Sequence, residues 1–329
     1  MTAVKFPHRR QVLHLATGAA ASPAMSRVAR AQAYPARPVR IIVAFPAGGP
    51  TDIAARLLGQ WLSMRLGQEF IVENRSGASG NIGTEAVVRS APDGYTLLMA
   101  VSPNTINATL YRKLSYDFLR DVVPVANVAE FPLVMEVSLS FPVKTVPEFI
   151  AYAKANPRKI TYASAGIGTP DHVAGELFKL MAGVDMLHVP YRGGAPALVD
   201  LIAGQVQARF DPLASSVEYI KAGSLRPLAV TTATRSDALP DLPVVPDFLP
   251  GFEASFWCGV GAPKNTPVPI IDTLNREINA GLADPRIKAR FAELGGRVLP
   301  GSPADFGKFL AKDTEKWAKV VRFAGISAD

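Results

Sequence analysis

Cysteine is nearly absent: Cys258 stands alone among 329 residues, so no disulfide can close within the chain and stability must come from packing. Its setting, Phe256-Trp257-Cys258-Gly259-Val260, reads as buried core. Histidine is scarce as well, with only His8, His14, His172 and His188. No H-x-x-x-H, C-x-x-C or acidic calcium loop occurs, which leaves no recognisable metal site. No G-K-[ST] exists, which excludes a P-loop, and Gly166-Ile167-Gly168 lacks the third glycine of a dinucleotide fingerprint, so no cofactor is expected. Beyond residue 33 there is no long uncharged apolar run, so no membrane span is expected there. Acidic residues are missing from the first 33 positions, which carry Lys5, Arg9, Arg10, Arg27 and Arg30. Of the formal net charge of +7, the remainder of the chain keeps only +2. A balance that small gives no electrostatic case for nucleic acid or a membrane surface.

What is present begins with a secretion signal. Basic residues end at Arg9-Arg10, a mildly apolar stretch runs from Val12 to Met25, and Ala31-Gln32-Ala33 is an A-x-A cleavage site. The run Arg9-Arg10-Gln11-Val12-Leu13 partly matches a twin-arginine signal, and an ordinary Sec signal fits equally. Residues 1–33 are thus expected to be removed near Ala33, leaving a soluble periplasmic protein, expected to be a monomer.

The rest, with 48% apolar and 19% charged residues overall, is long for one core and comfortable for two. Strand-like and helix-like segments alternate. Val39–Phe45 reads as a strand, and Ile53, Leu57, Trp61 and Leu62 then share one helix face. Phe70–Glu73 reads as a strand, Gly80–Ser90 as a helix, and Tyr95–Val101 as a strand after the turn Ala91–Gly94. Alternation of this kind predicts an α/β protein with a mostly parallel sheet covered by helices. Helix starts are explicit: Thr145 to Glu148 is a capping box, and Thr169-Pro170, Thr266-Pro267 and Ser302-Pro303 each place a cap before a first-turn proline. A chain leaving one lobe near Val134 and returning near Trp257 divides as 34–134 plus 257–329 in lobe one and 135–256 in lobe two. Two crossovers of this kind make a hinge that can close on a ligand.

Two glycine-rich turns carry the chemistry. Phe45-Pro46-Ala47-Gly48-Gly49-Pro50-Thr51-Asp52 and Ser164-Ala165-Gly166-Ile167-Gly168-Thr169-Pro170-Asp171-His172 each join a strand to a helix start. Unpaired N–H groups and the helix dipole make such turns anion cradles. Each helix end contributes about 0.3–1 kcal/mol, and each hydrogen bond to a charged group about 1.5–3 kcal/mol. Phe45, Ala47, Gly48, Gly49 and Thr51 are the expected ligand residues of the first turn, with Asp52 read as a cap on its own helix. Ser164, Ala165, Gly166, Gly168 and Thr169 are those of the second. Neither set includes Arg or Lys, so a carboxylate would be held by neutral donors and ordered water. His172 can face the pocket or pack against the other lobe. Ser102 and Asn104, just past a strand, sit where parallel sheets place ligand crevices. Asp211, ending the strand-like run Gln205–Phe210, can meet a ligand amine or hydroxyl, or act as a structural cap. A serine hydrolase using Ser164 is the rival chemistry: Tyr162-Ala163-Ser164-Ala165-Gly166 approaches G-x-S-x-G, but has Tyr for the first Gly, and His172 is too local to be a distant base. No catalytic residue is expected.

These residues also carry a resemblance. Tyr34-Pro35 leading to Phe45–Gly49, Glu73-Asn74-Arg75, Gly80-Asn81-Ile82-Gly83 and Pro92–Thr96 come first. Ser164–Thr169 with His172–Phe178, Val189–Gly193, Arg235-Ser236, Leu239-Pro240-Asp241 and Trp317 follow in order. The set resembles the Bug receptors, the substrate-binding proteins of the tripartite tricarboxylate transporter family. The resemblance implies a type II periplasmic binding protein, two α/β lobes joined by two strands, that delivers a small carboxylated solute to membrane permease subunits. It implies that the two turns clamp one carboxylate, partly through bridging waters, and that the far end of the pocket sets ligand choice. The same fold could serve as a co-receptor for a membrane sensor kinase. Ile167, at a place often polar in relatives, and Asp211-Pro212-Leu213, where Asp-Asn is more usual, depart from the pattern.

Overall fold

A computed structural model describes residues 34–328 together with Met1 and Thr2; the expected secretion signal otherwise lies outside the described residues. Among the described residues ten strands follow in chain order: β1 Val39–Val43, β2 Phe70–Asn74, β3 Thr96–Val101, β4 Val122–Val137, β5 Thr161–Ser164, β6 Leu187–Pro190, β7 Ala208–Pro212, β8 Arg226–Val230, β9 Ser255–Pro263 and β10 Arg297–Val298. They hydrogen-bond in the order β2-β1-β3-β9-β4-β7-β5-β6, with β8 and β10 also on β4. At one end β2, β1 and β3 are parallel, and at the other so are β6, β5 and β7. The centre departs from the mostly parallel expectation. There β9 runs antiparallel to β3 and β4, and β4 antiparallel to β7. The reason is connectivity: the chain crosses from one parallel group to the other and back, and the crossing strands meet head to tail.

β4 is the joint between the two α/β lobes. Val122–Pro132 pairs with β9, whereas Leu133–Val137 pairs with β7 and β8. The two prolines of β4 fall where a missing N–H does least harm. Pro124 lies at a register shift, and Pro132 is the last residue before the exchange of partners. Thr231 ties the crossings together: its Oγ1 accepts the Leu133 N–H (3.0 Å) and donates to the Ala254 carbonyl (2.6 Å).

Each parallel group has its own apolar core. Ile41, Leu58, Leu97, Val260, Leu274 and Phe291 belong to one, and Phe149, Tyr162, Phe178, Phe210 and Phe252 to the other. Trp317, Val320 and Val321 of the last helix, Pro303–Ala324, pack into the second core, so this helix reaches across from the first. Cys258 is buried as expected, and burial pushes its thiol up to about 12.

Helix starts follow their caps. Ser302 accepts from Asp305 N–H while Asp305 accepts from Ser302 N–H, a complete capping box. At Thr145 the box is half made. Thr145 Oγ1 accepts from Glu148 N–H, but the Glu148 carboxylate accepts from Lys144 N–H instead. Thr266 is a correction: the helix is Val268–Ala283 with Pro267 as its cap residue, and Thr266 Oγ1 donates to the Pro263 carbonyl. No described helix is long and apolar enough to cross a membrane.

Candidate functional site

A cleft of about 410 Å³ opens between the two glycine-rich turns. Phe45, Ala47, Gly49 and Thr51 line it from the first turn, Ala165 and Thr169 from the second, and Asp211 from the end of β7. Gly48, Ser102, Asn104, Ser164, Gly166, Gly168 and His172 are not part of that lining.

The first turn is built by Asp52. The helix Pro50–Leu66 starts after Gly49, which has no side chain to cap it. Asp52 Oδ2 instead accepts the Gly48 N–H at 2.9 Å and Arg56 Nε at 2.9 Å. Its Oδ1 accepts from Arg56 Nη2 and Asn74 Nδ2, both at 3.0 Å. Gly48 sits at φ +85°, a left-handed conformation open to glycine, and so its amide points back into the turn. The Arg56 hydrogen bond above all holds the Asp52 carboxyl down to about 2. Asp52 thus closes the turn and pairs with Arg56 and Asn74 rather than capping the N–H groups of its own helix, the role expected of it from the sequence, and the dipole end of the helix is left for the cleft.

The second turn uses the same device. Asp171, one residue into the helix Pro170–Ala182, accepts the Ala165 N–H at 2.6 Å. Gly168 donates its N–H to His172 Nδ1 at 3.0 Å. Gly168 also has a positive φ, +79°, and abuts Leu110 so closely that a Cβ there would collide with the Leu110 side chain. Leu110 ends the helix Ser102–Leu110 that follows β3, so this glycine lets the second turn approach the first lobe.

His172 packs rather than facing the cleft. It is 1% exposed and stacks on His188 with ring centroids 3.8 Å apart. Burial holds the His172 imidazole down to about 4 and His188 to about 3. With Nδ1 accepting from Gly168, the proton of neutral His172 is on Nε2, which is buried without a partner.

Ser164 does have a histidine beside it, His188. Parallel pairing of β5 with β6 sets Tyr162 beside His188, and Ser164 Oγ lies 2.6 Å from His188 Nε2. The hydroxyl is 0% exposed, off the cleft lining, and also accepts the Gly166 N–H. A substrate cannot reach it there, and a base with so depressed a pKa is poorly matched to neutral pH. Ser102 and Asn104 are engaged in the scaffold. Ser102 Oγ accepts the Trp257 N–H of β9, and Asn104 accepts from Val101 N–H while donating to Thr84 Oγ1.

Sequence reasoning missed Arg209. This guanidinium is 1% exposed yet is among the cleft-lining residues. Its Nη2 lies 2.7 Å from Asp211 Oδ1 and 3.2 Å from Asp171 Oδ2, and Nη1 donates to the Gly194 carbonyl at 2.8 Å. The β4–β7 register puts Glu136 opposite Arg209 and Val134 opposite Asp211, so Glu136, Arg209 and Asp211 share one sheet face. Neither oxygen of Glu136 or Asp211 receives a well-aligned hydrogen bond. Burial raises the Asp211 carboxyl to about 7 against the opposing pull of Arg209. Burial, reinforced by Asp211, drives Glu136 well above the usual carboxylate range. One signal was available: Arg209 and Asp211 are charges at alternate positions of an otherwise apolar strand.

Comparison with known proteins bears on this geometry. Residues 54–326 match the family model described as the tripartite tricarboxylate transporter family receptor. The chain is 39% identical to the protein BugT of Bordetella pertussis over 298 residues, which span 90% of this chain and 91% of that one. Among solved structures it is similar to Rpa4515 of R. palustris with adipate, at TM-score 0.80 and 39% identity, covering 89% of this chain and 99% of that one. It is also similar to MatC of Rhodopseudomonas palustris with bound malate, at TM-score 0.77 and 31% identity, covering 88% and 100%.

Proposed function

The chain belongs to the tripartite tricarboxylate transporter receptor family, and from that premise we propose that it is a periplasmic solute receptor. It holds a small carboxylate between its lobes and delivers it to membrane permease subunits. The observation that carries this reading is the opening of two helix N-termini, after Gly49 and after Thr169, onto one cleft. Ala47, Gly49, Thr51 and Thr169 are the residues we assign to the carboxylate, with Ala165, whose N–H is held by Asp171, lining the cleft beside them. Gly48, Gly166 and Gly168 shape the turns, and Ser102, Asn104, Ser164 and His172 hold the scaffold behind them. The lobes divide at 134/135 and 256/257, a reading supported by the exchange of β4 partners at Leu133 and by the start of β9 at Ser255. That relatives were solved with adipate and malate supports an acid as the solute here.

Thermal melting against a panel of mono-, di- and hydroxycarboxylates tests the reading. A bound acid at a hundredfold excess over its Kd adds about 2.7 kcal/mol to stability. The Thr51→Val, Thr169→Val double variant should lose most of the shift. No shift with any acid, or an undiminished shift in the double variant, would overturn the assignment.

A further inference from the structure

We propose that the cleft floor formed by Asp211, backed by Arg209, Asp171 and Glu136, receives an ammonium group, so that the solute is an amine-bearing carboxylic acid rather than a dicarboxylate. This rests on the carboxylate-receptor reading above and specifies its substrate class.

Charge composition comes first. Among the described residues that line the cleft Arg209 is the one cation; both Nη atoms are committed, and its Nε alone is buried without a partner. Nη2 is shared by Asp171 and Asp211, and Nη1 is taken by the Gly194 carbonyl. Three carboxyl groups, from β4, β7 and the helix Pro170–Ala182, thus surround a single guanidinium. A second ligand carboxylate entering here would meet Asp211 with no free N–H fork to receive it. An ammonium would meet the opposite field.

Geometry comes second. Asp211 is 0% exposed but lines the cleft; its Oδ1 is ion-paired to Arg209 Nη2 at 2.7 Å without an aligned hydrogen bond, and its Oδ2 has no donor at all. Behind it Glu136 is buried with neither oxygen in a well-aligned hydrogen bond, and Ser216 of the helix Leu213–Lys221 lies beside it as a neutral neighbour. Buried carboxyls without donors are costly, and they settle as the neutral acid or await a cation. Burial raises the Asp211 and Glu136 pKa values, in keeping with that cost. An ammonium brings three N–H donors and a positive charge to Asp211, which lines the cleft together with Asp171 and Arg209. Within a mainly apolar lining the cleft then offers helix ends and amides to the acid and a carboxyl floor to the amine.

Matched acids of four, five and six carbons test this by calorimetric titration of the whole protein. Each length supplies the dicarboxylate, the unsubstituted acid, the 2-amino acid and the terminal amino acid (succinate, butanoate, 2-aminobutanoate and 4-aminobutanoate at four carbons). At one length or more an amino acid should bind at least tenfold tighter than both its dicarboxylate and its unsubstituted acid. Asp211→Asn, which keeps the shape and removes the charge, should collapse that ratio to near one. A dicarboxylate that outbinds both amino acids at every length, or a ratio untouched by Asp211→Asn, would overturn the ammonium assignment while leaving the carboxylate receptor standing. Silence from every compound would overturn both. Should Asp211→Asn fail to fold, the ranking in the unaltered protein decides alone.

Discussion

Acid should weaken this protein through the stacked histidines. His172 and His188 are both held neutral by burial, His172 at about 4 and His188 at about 3, against an ordinary value near 6.5. A group whose folded pKa lies below its unfolded one binds more protons in the unfolded chain. Its contribution is complete above the unfolded pKa and is lost as pH falls toward the folded one. For His172 the window is pH 6.5 to 4, and the loss between pH 7 and pH 5 is about 2 kcal/mol. The His188 contribution has the same sign. Asp211 and Glu136 act in the opposite direction, because their raised folded pKa values make the native state take up protons first. The raw stability curve is therefore a sum of opposed effects, and only a difference isolates the imidazole. His172→Gln keeps an acceptor for the Gly168 N–H and removes the titration. Urea unfolding at pH 7 and pH 5 should show the unaltered protein losing about 2 kcal/mol relative to the variant. A stability difference that stays constant between the two pH values, or a His172 ring that titrates near 6.5 by NMR, would refute the reasoning.

Replacing Arg209 with Met strands Asp171 and Asp211, and urea unfolding should register a loss of about 3–5 kcal/mol. Adding Asp211→Asn should recover part of it, and strict additivity of the two changes would contradict a shared network. Gly168→Ala drives a methyl group toward Leu110 and forces a left-handed alanine. It should cost about 1–3 kcal/mol in melting experiments and weaken acid binding by holding the turn off the first lobe. If 6-aminohexanoate binds through Asp211, its affinity should fall about tenfold per pH unit below 7, because the incoming ammonium must displace one proton; a flat calorimetric profile would count against that. Asp52→Asn leaves the Gly48 N–H an acceptor but weakens the Arg56 pair, and thermal melting at neutral pH should show destabilisation that vanishes below about pH 2.

Much of this molecule is written in local chemistry. The two turns, the caps at Ser302 and Thr145 and the burial of Cys258 each depend on a few neighbouring residues. A single chain displays those directly. What stayed hidden depends on register. Arg209 and Glu136 meet only because β4 and β7 pair antiparallel, and nothing in either strand announces its partner. His188 reaches Ser164 through the β5–β6 pairing, which no residue near Ser164 in the chain announces. β4 was obscured by Pro124 and Pro132, which argue against a central strand until the register shift and the exchange of partners are known. Thr266 misled because a threonine before proline is also content to close a turn backward.

The unbroken run of β4 limits how the halves can separate. A strand bonded to different neighbours before and after Pro132 acts as a torsion rod: it can twist, but it cannot let the lobes slide past each other without tearing a ladder on one side. Opening of the cleft would then be a swivel about Leu133 and Thr231 that leaves both cores intact.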